Sequence, residues 1–216
     1  MALGAREQVA ENARADILHA AAICFNDRGY VATSIDDVAR SLGATKGMVY
    51  HHYRSKADLF ADVFRVGMEM NYAAIAPFRA MSGRAAAQWR AMAFAHVLQM
   101  IRTKPFQRVV WEGVSMYLRG ATTPEQRDVF AELQQSRRDY GNIFRDVIAR
   151  ARDEGDFIFD DPGLTEQIMF LTLNSPLFWY SPRAGETDAD REILAEQVVA
   201  FAYRGLGGVD TKGVAR

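Results

Sequence analysis

The chain has 216 residues, 49% of them hydrophobic and 25% charged, with a formal net charge of -1. That balance suits a globular protein able to bury one large core or two small ones, and it excludes a non-specific nucleic-acid coat, which needs a basic field over the whole molecule. Cys24 is the single cysteine, which rules out an intramolecular disulfide and a thiolate metal cluster.

Met1 is followed by no long apolar leader, and no run of apolar residues reaches the ~18 needed to span a bilayer. A cytoplasmic protein with no membrane association is therefore expected. In chain order, apolar residues recur at helical spacing almost everywhere and strand-like alternation is hard to find. The first helix is predicted over Asn12 to Arg28, with Ile17, Leu18, Ala21, Cys24 and Phe25 on one face and Gly29 as its stop. Two short helices follow, then a fourth that begins at Ser55. Further helices are predicted over Arg84 to Thr103, Pro105 to Arg119, Pro124 to Glu154, Pro162 to Tyr180 and Thr187 to Leu206. With about nine helices and no strand, the fold class is all-α. A small N-terminal domain, 1–57, and a larger helical domain, 58–216, are expected, with the boundary in the fourth helix.

Residues 33–59 carry the chemistry. Ser34 is placed as an N-cap with Asp37 three residues on, and Ile35, Val38, Ala39 and Leu42 supply a buried face. Gly43 makes a tight turn, Thr45 caps a second short helix, and Val49 points inward. From Gly43 to Lys56 there are three cations (Lys46, Arg54, Lys56), two histidines and no acid. Lys56 falls in the first turn of a helix, where the dipole disfavours a cation. A phosphate partner accounts for it better. The arrangement is a helix-turn-helix whose second helix enters the major groove of double-stranded operator DNA. The expected contact set is Ser34, Thr45, Lys46, Gly47, Met48, Tyr50, His51, His52 and Lys56. Among these Tyr50, His52 and Lys56 hold phosphates, and Thr45, Lys46, Gly47 and His51 face base edges.

Adjacent helical residues diverge by about 100°, so His51 and His52 do not form a metal pair, and no metal site is expected. Cys24, on an apolar face, reads as a core thiol. No phosphate-binding glycine loop and no hydrolase or zinc motif occurs, so the chain is not expected to be an enzyme or to carry a cofactor.

The order Gly-Tyr, Thr-Ser-Ile-x-x-Val-Ala, Leu-Gly, Val-Tyr-x-His-Tyr, Ser-Lys-x-x-Leu over Arg14 to Phe64 resembles the DNA-binding domain of TetR-family (TetR/AcrR-type) repressors. The resemblance implies a homodimer that binds a palindromic operator and is released by a small-molecule inducer held in the larger domain. It also implies phosphate contacts at Tyr50, His52 and Lys56, and base contacts at Thr45 to Met48 and His51. Tyr53 stands where phenylalanine is usual, and its hydroxyl is expected to reach solvent.

From Met68 onward methionines and aromatics form a stripe that fits either plain core or an adaptable apolar pocket. Met68, Phe94, His96, Arg102, Trp111, Arg119 and Asn174 are the expected ligand-binding residues, with Arg108 a further polar anchor. The stretch Asn174-Ser-Pro-Leu-Phe-Trp-Tyr-Ser-Pro is similar to one in repressors of sterol and fatty-acid breakdown. That similarity implies a lipid-like or acyl-coenzyme A ligand, with Arg102, Arg108 or Arg119 on its phosphates. Apolar faces at Ile168, Leu171, Leu173 and Phe178 and at Ile193, Leu194, Val198 and Phe201 suggest a two-fold dimer contact. The alternative is a DNA-binding protein controlled by a partner, or by no ligand at all.

Overall fold

The computed structural model describes residues 2–119 and 123–208, and the side chains of all of these except 2–10, 114–119, 125 and 126. Ten α-helices and one 3₁₀ turn account for the described fold, with no strand among the described residues. They are α1 (Ala2–Ala32), α2 (Ile35–Ser41), α3 (Lys46–His52), α4 (Lys56–Ile75), α5 (Ala85–Arg102), α6 (Lys104–Arg119), α7 (Pro124–Asp153), α8 (Pro162–Leu173), α9 (Pro176–Trp179) and α10 (Asp188–Gly205).

Nine of these are the nine predicted from periodicity. The tenth arises because the run predicted as Pro162 to Tyr180 divides. Pro176 has no N–H to give to an earlier turn, so α8 stops with Asn174 as its C-cap, and the proline opens α9 instead. The helical course of α1 breaks at Gly29, the predicted stop, whose φ of 74° only glycine adopts readily, and resumes for one short turn to Ala32.

The chain forms two compact units, and they divide differently from an expected break at 57/58. The first comprises Met1–Glu69 and Lys104–Gln135; the second comprises Met70–Thr103 and Ser136–Arg216. The physical reason lies in α6, which packs along α1 and α4. A Cβ at Gly67 would stand 2.7 Å from Val110 Cγ2 and 3.3 Å from the Phe106 carbonyl oxygen, so the missing side chain is what lets α4 and α6 touch. Gln107 Nε2 seals the crossing by donating to the Gly67 carbonyl at 3.2 Å. The core of this unit is Ile17, Phe25, Leu59, Phe60, Val63 and Phe64, all buried.

In the second unit α5 packs against α8, α9 and α10 around buried Trp89, Met92, Met100, Phe144, Phe157 and Leu173. Much of the methionine and aromatic stripe is therefore core: Met68, Trp89, Met92, Met100 and Phe106 are all buried, whereas Met81 is exposed. Met116 and Tyr117 have side chains outside the described residues. Leu173, expected on an outward face, is fully buried. Its neighbours Ile168 and Leu171 are each 55% exposed, Ile193 is 59% and Phe201 is 65% exposed. Leu194 and Val198 are half-buried.

Candidate nucleic-acid interface and effector site

Helices as short as α2 and α3 do not persist alone, and their ends must be satisfied locally. At α2 the Ser34 hydroxyl accepts from the Asp37 N–H at 3.1 Å, and the Asp37 carboxylate accepts from the Ser34 N–H at 3.0 Å. These bonds from Ser34, helped by Arg28 and Arg40, hold the Asp37 carboxyl down at about 2. Gly43, at φ 67°, turns the chain, and the Ala44 N–H returns to the Ala39 carbonyl at 2.9 Å. Thr45 then caps α3 by accepting from the Met48 N–H.

On α3 the inward face is Val49, fully buried. Lys46, Gly47, Tyr50 and His51 are exposed, while Met48 and His52 are half-buried. A Cβ at Gly47 would meet nothing within 4 Å, so nothing inside the protein requires glycine there. Lys46 Nζ sits 3.0 Å from Asp36 Oδ1, and this partner raises the ammonium pKa. The acid-free run from Gly43 to Lys56 is thus supplied with a counter-charge from α2, which sequence spacing does not reveal.

Lys56 is placed differently from the expectation. Its ammonium donates to the carbonyls of Tyr30 (2.7 Å), Val31 (3.3 Å) and Thr33 (2.8 Å), and lies 4.3 Å from the centroid of the Tyr30 ring. Three N–H groups meet three carbonyls, which uses every donor the ammonium has. The cation that α4's own dipole disfavours is stabilised by the carbonyl-rich end of α1. From the other side Glu112 Oε1 accepts from the Tyr30 N–H at 2.9 Å, and the Thr33 hydroxyl donates to the Cys24 and Gly29 carbonyls. The Tyr53 ring is buried in the small core, but its hydroxyl, expected to reach solvent, donates instead to Asp62 at 2.7 Å, while Arg14 pairs with the same carboxylate. Burial, followed by the bond to Asp62, raises the Tyr53 pKa.

Of the residues expected to hold a ligand, the structure joins His96 and Asn174. His96 is 2% exposed, and burial pushes its imidazole down to about 4. Asn174 Oδ1 lies 3.0 Å from His96 Nε2, which therefore donates. That leaves Nδ1 as acceptor for the Tyr140 hydroxyl at 2.9 Å. Phe144 and Phe170 close around the imidazole, with centroids 5.9 and 5.5 Å away. Tyr140, the third member of this chain, was not singled out in the sequence because a tyrosine on a long polar helix carries no local signal.

Phe94 is half-buried in the second unit. Arg102, in the same unit, is exposed, 3.7 Å from Asp188 and 3.9 Å from Glu192. Met68 and Trp111 belong to the first unit, buried and half-buried respectively, as does half-buried Arg108, whose charge lowers the pKa of Lys104 after burial. The Arg119 side chain lies outside the described residues. Among the described residues no three His, Cys, Asp or Glu side chains are grouped to hold a metal, and no helix is long and apolar enough to cross a membrane.

Two family models match the chain: "Bacterial regulatory proteins, tetR family" over residues 17–63 and "Tetracyclin repressor-like, C-terminal domain" over residues 82–206. The HTH-type transcriptional repressor KstR2 of Mycobacterium tuberculosis H37Rv is 25% identical over 210 residues, covering 93% of this chain and 94% of its own. A solved regulatory protein in the tetR family from Rhodococcus RHA1 superposes with a TM-score of 0.74 at 25% identity, covering 92% of this chain and 98% of that one. AibR in complex with isovaleryl coenzyme A and operator DNA shares the fold, with a TM-score of 0.71 at 21% identity over 88% of this chain and 97% of that one.

Proposed function

Because the chain belongs to the TetR family of bacterial transcriptional regulators, we propose that it is a cytoplasmic homodimeric repressor that grips a palindromic operator through α3 and lets go when a small apolar ligand enters its second unit. The observation that carries this reading is the outward face of α3. Val49 alone seals the helix to the core, leaving Lys46, Gly47, Tyr50 and His51 exposed over open space at Gly47. Thr45, Lys46, Gly47, Met48 and His51 read base edges, and Tyr50 and His52 hold phosphates. Ser34 joins them at the N-terminus of α2, and at Lys56 the backbone N–H at the start of α4, rather than the committed ammonium, faces a phosphate. Lys46 exchanges Asp36 for the DNA on docking.

The dimer forms through the apolar side chains that α8 and α10 leave exposed, Ile168, Leu171, Ile193 and Phe201, and two-fold symmetry then matches a two-fold operator. The effector site is centred on His96 and Asn174 and draws on Phe94. Arg102, in the same unit, is a further contact in the same reading. AibR was captured with isovaleryl coenzyme A, an acyl thioester, which supports an effector with an acyl or otherwise lipid-like body. Residues 1–57 form the DNA-binding part and 58–216 the effector-binding and dimerising part.

Gel-shift titration against the DNA flanking the chain's own gene tests the proposal. K46A and H51A should each relax preference at one or two base pairs, at ~1–3 kcal/mol per position. The double variant I168K/F201K should sediment as a monomer and lose the operator. Unchanged binding by both α3 variants would sink the docking.

A further inference from the structure

Helices α7 and α8 meet at Gly141. The Glu166 carboxylate lies directly over this glycine, closer than any Cβ would permit, and the Phe170 ring follows one turn later, 3.9 Å from where that Cβ would stand. Residues 137, 141 and 145 are spaced four apart, so they share one face of α7, and Glu166 is flanked by Arg137 and Arg145. It pairs with Arg145, through Nε and Nη2.

Arg137 is half-buried and makes no hydrogen bond or close ion pair with any described residue. Burial lowers its pKa, and Glu166 only partly opposes that. Two guanidiniums therefore share one carboxylate, and one positive charge is left over. A guanidinium taken partly out of water with its five donors unanswered is costly, so the local chemistry calls for one further anion. Its planar fork suits a carboxylate held by two parallel bonds.

Beside Gly141, one turn along α7 from that charge, stands an aromatic wall. Phe170 packs against Phe144, Tyr140 and His96, with ring centroids 5.1, 6.1 and 5.5 Å away. A bare inorganic anion would make no use of it.

We propose that Arg137 receives the carboxylate of an apolar carboxylic acid whose body lies against Phe170 and the rings behind it. This names the effector's chemical class and rests on the reading of the second unit as an effector domain. One uncompensated charge suits a monoanion, and the rings suit a hydrocarbon or aromatic body.

The test uses the full-length protein and paired probes, octanoate against octanol and 3-phenylpropanoate against 3-phenylpropanol, with inorganic phosphate as the bare anion. Thermal shift, calorimetry and release of operator DNA are read together. The acids should bind and release DNA, while the alcohols and phosphate should be at least tenfold weaker. R137Q should lose at least tenfold in acid affinity, and R137K, which keeps the charge and guards against a misfolded variant, should lose less. Alcohols that bind and release DNA as well as the acids would overturn the acid inference and leave the effector reading standing. Phosphate as good as octanoate, or acid binding untouched in R137Q, would also overturn it, as would an R137Q effect confined to dimer dissociation. A panel in which nothing binds would overturn both.

Discussion

In the first unit, the polar groups that packing removes from water are mostly backbone groups at helix ends. Ser34, Thr33, Thr45, Lys56 and Glu112 answer them one by one. In the second unit the clearest case is a chain of side chains, Tyr140 and His96 inside long helices and Asn174 at the end of α8, which answer one another. The difference follows from helix length. α2 and α3 have seven residues each, so most of their N–H and C=O groups belong to an end. α5 and α7, with 18 and 30 residues, satisfy most of their backbones internally and leave only their ends, such as the Ala85 N–H that Glu154 accepts, and their buried side chains to be matched. In the proposed function the first arrangement fixes the angle of the reading head, and the second sets a polar chain at the centre of the effector site.

The largest test of this contrast is acid. His96 is neutral when folded, with its pKa pushed to about 4 by burial, against roughly 6.5 in an unfolded chain. Between those values the unfolded state binds more protons, so stability is complete above pH ~6.5 and falls as the pH is lowered toward 4, by roughly 3 kcal/mol in all. Urea unfolding at fixed protein concentration, stepped across that window, should show the loss, and H96L should lack this part of the slope. Equal slopes in wild type and H96L would mean that the imidazole is hydrated, and the closed Tyr140–His96–Asn174 chain would have to be given up.

Lys56 provides the next largest. Its three carbonyl bonds lead us to expect that K56A loses roughly 2 kcal/mol of unfolding free energy, as for charge-assisted hydrogen bonds. Operator affinity should fall with it, while the slope of log K against log salt stays near wild type. A slope smaller by about one with unchanged stability would return the ammonium to the phosphate backbone.

What could be read from the sequence follows the same division. Caps, the Gly43 turn and the inward Val49 are dictated by neighbours within a few residues, so spacing alone places them. The carbonyl partners of Lys56 have no local signal because they lie 23 to 26 residues away, and Asp36 reaches Lys46 across the turn. The spacing places the Tyr53 ring in the core but not its hydroxyl, whose partner Asp62 lies on another helix. In the second unit every informative pairing is long-range: Tyr140 is 44 residues from His96, and Asn174 is 78. His96 and Asn174 could be flagged by residue type, but neither their contact nor Arg137 has a local signature.

The smallest effect is the most discriminating for the reading head. Gly47 lies inside α3 with open space where a Cβ would go, and its φ is not positive. Folding therefore gains nothing from glycine, and G47A should raise stability by about 0.5–1 kcal/mol through helix propensity alone. If α3 lies in the major groove, the added methyl points at the DNA, and operator affinity should fall although the protein is more stable. Those opposite signs separate a contact surface from a merely exposed helix. A G47A protein that is both more stable and undiminished in operator binding would leave α3 exposed for no reason that DNA supplies, and the groove-facing surface would then have to be sought on α2 or at the start of α4.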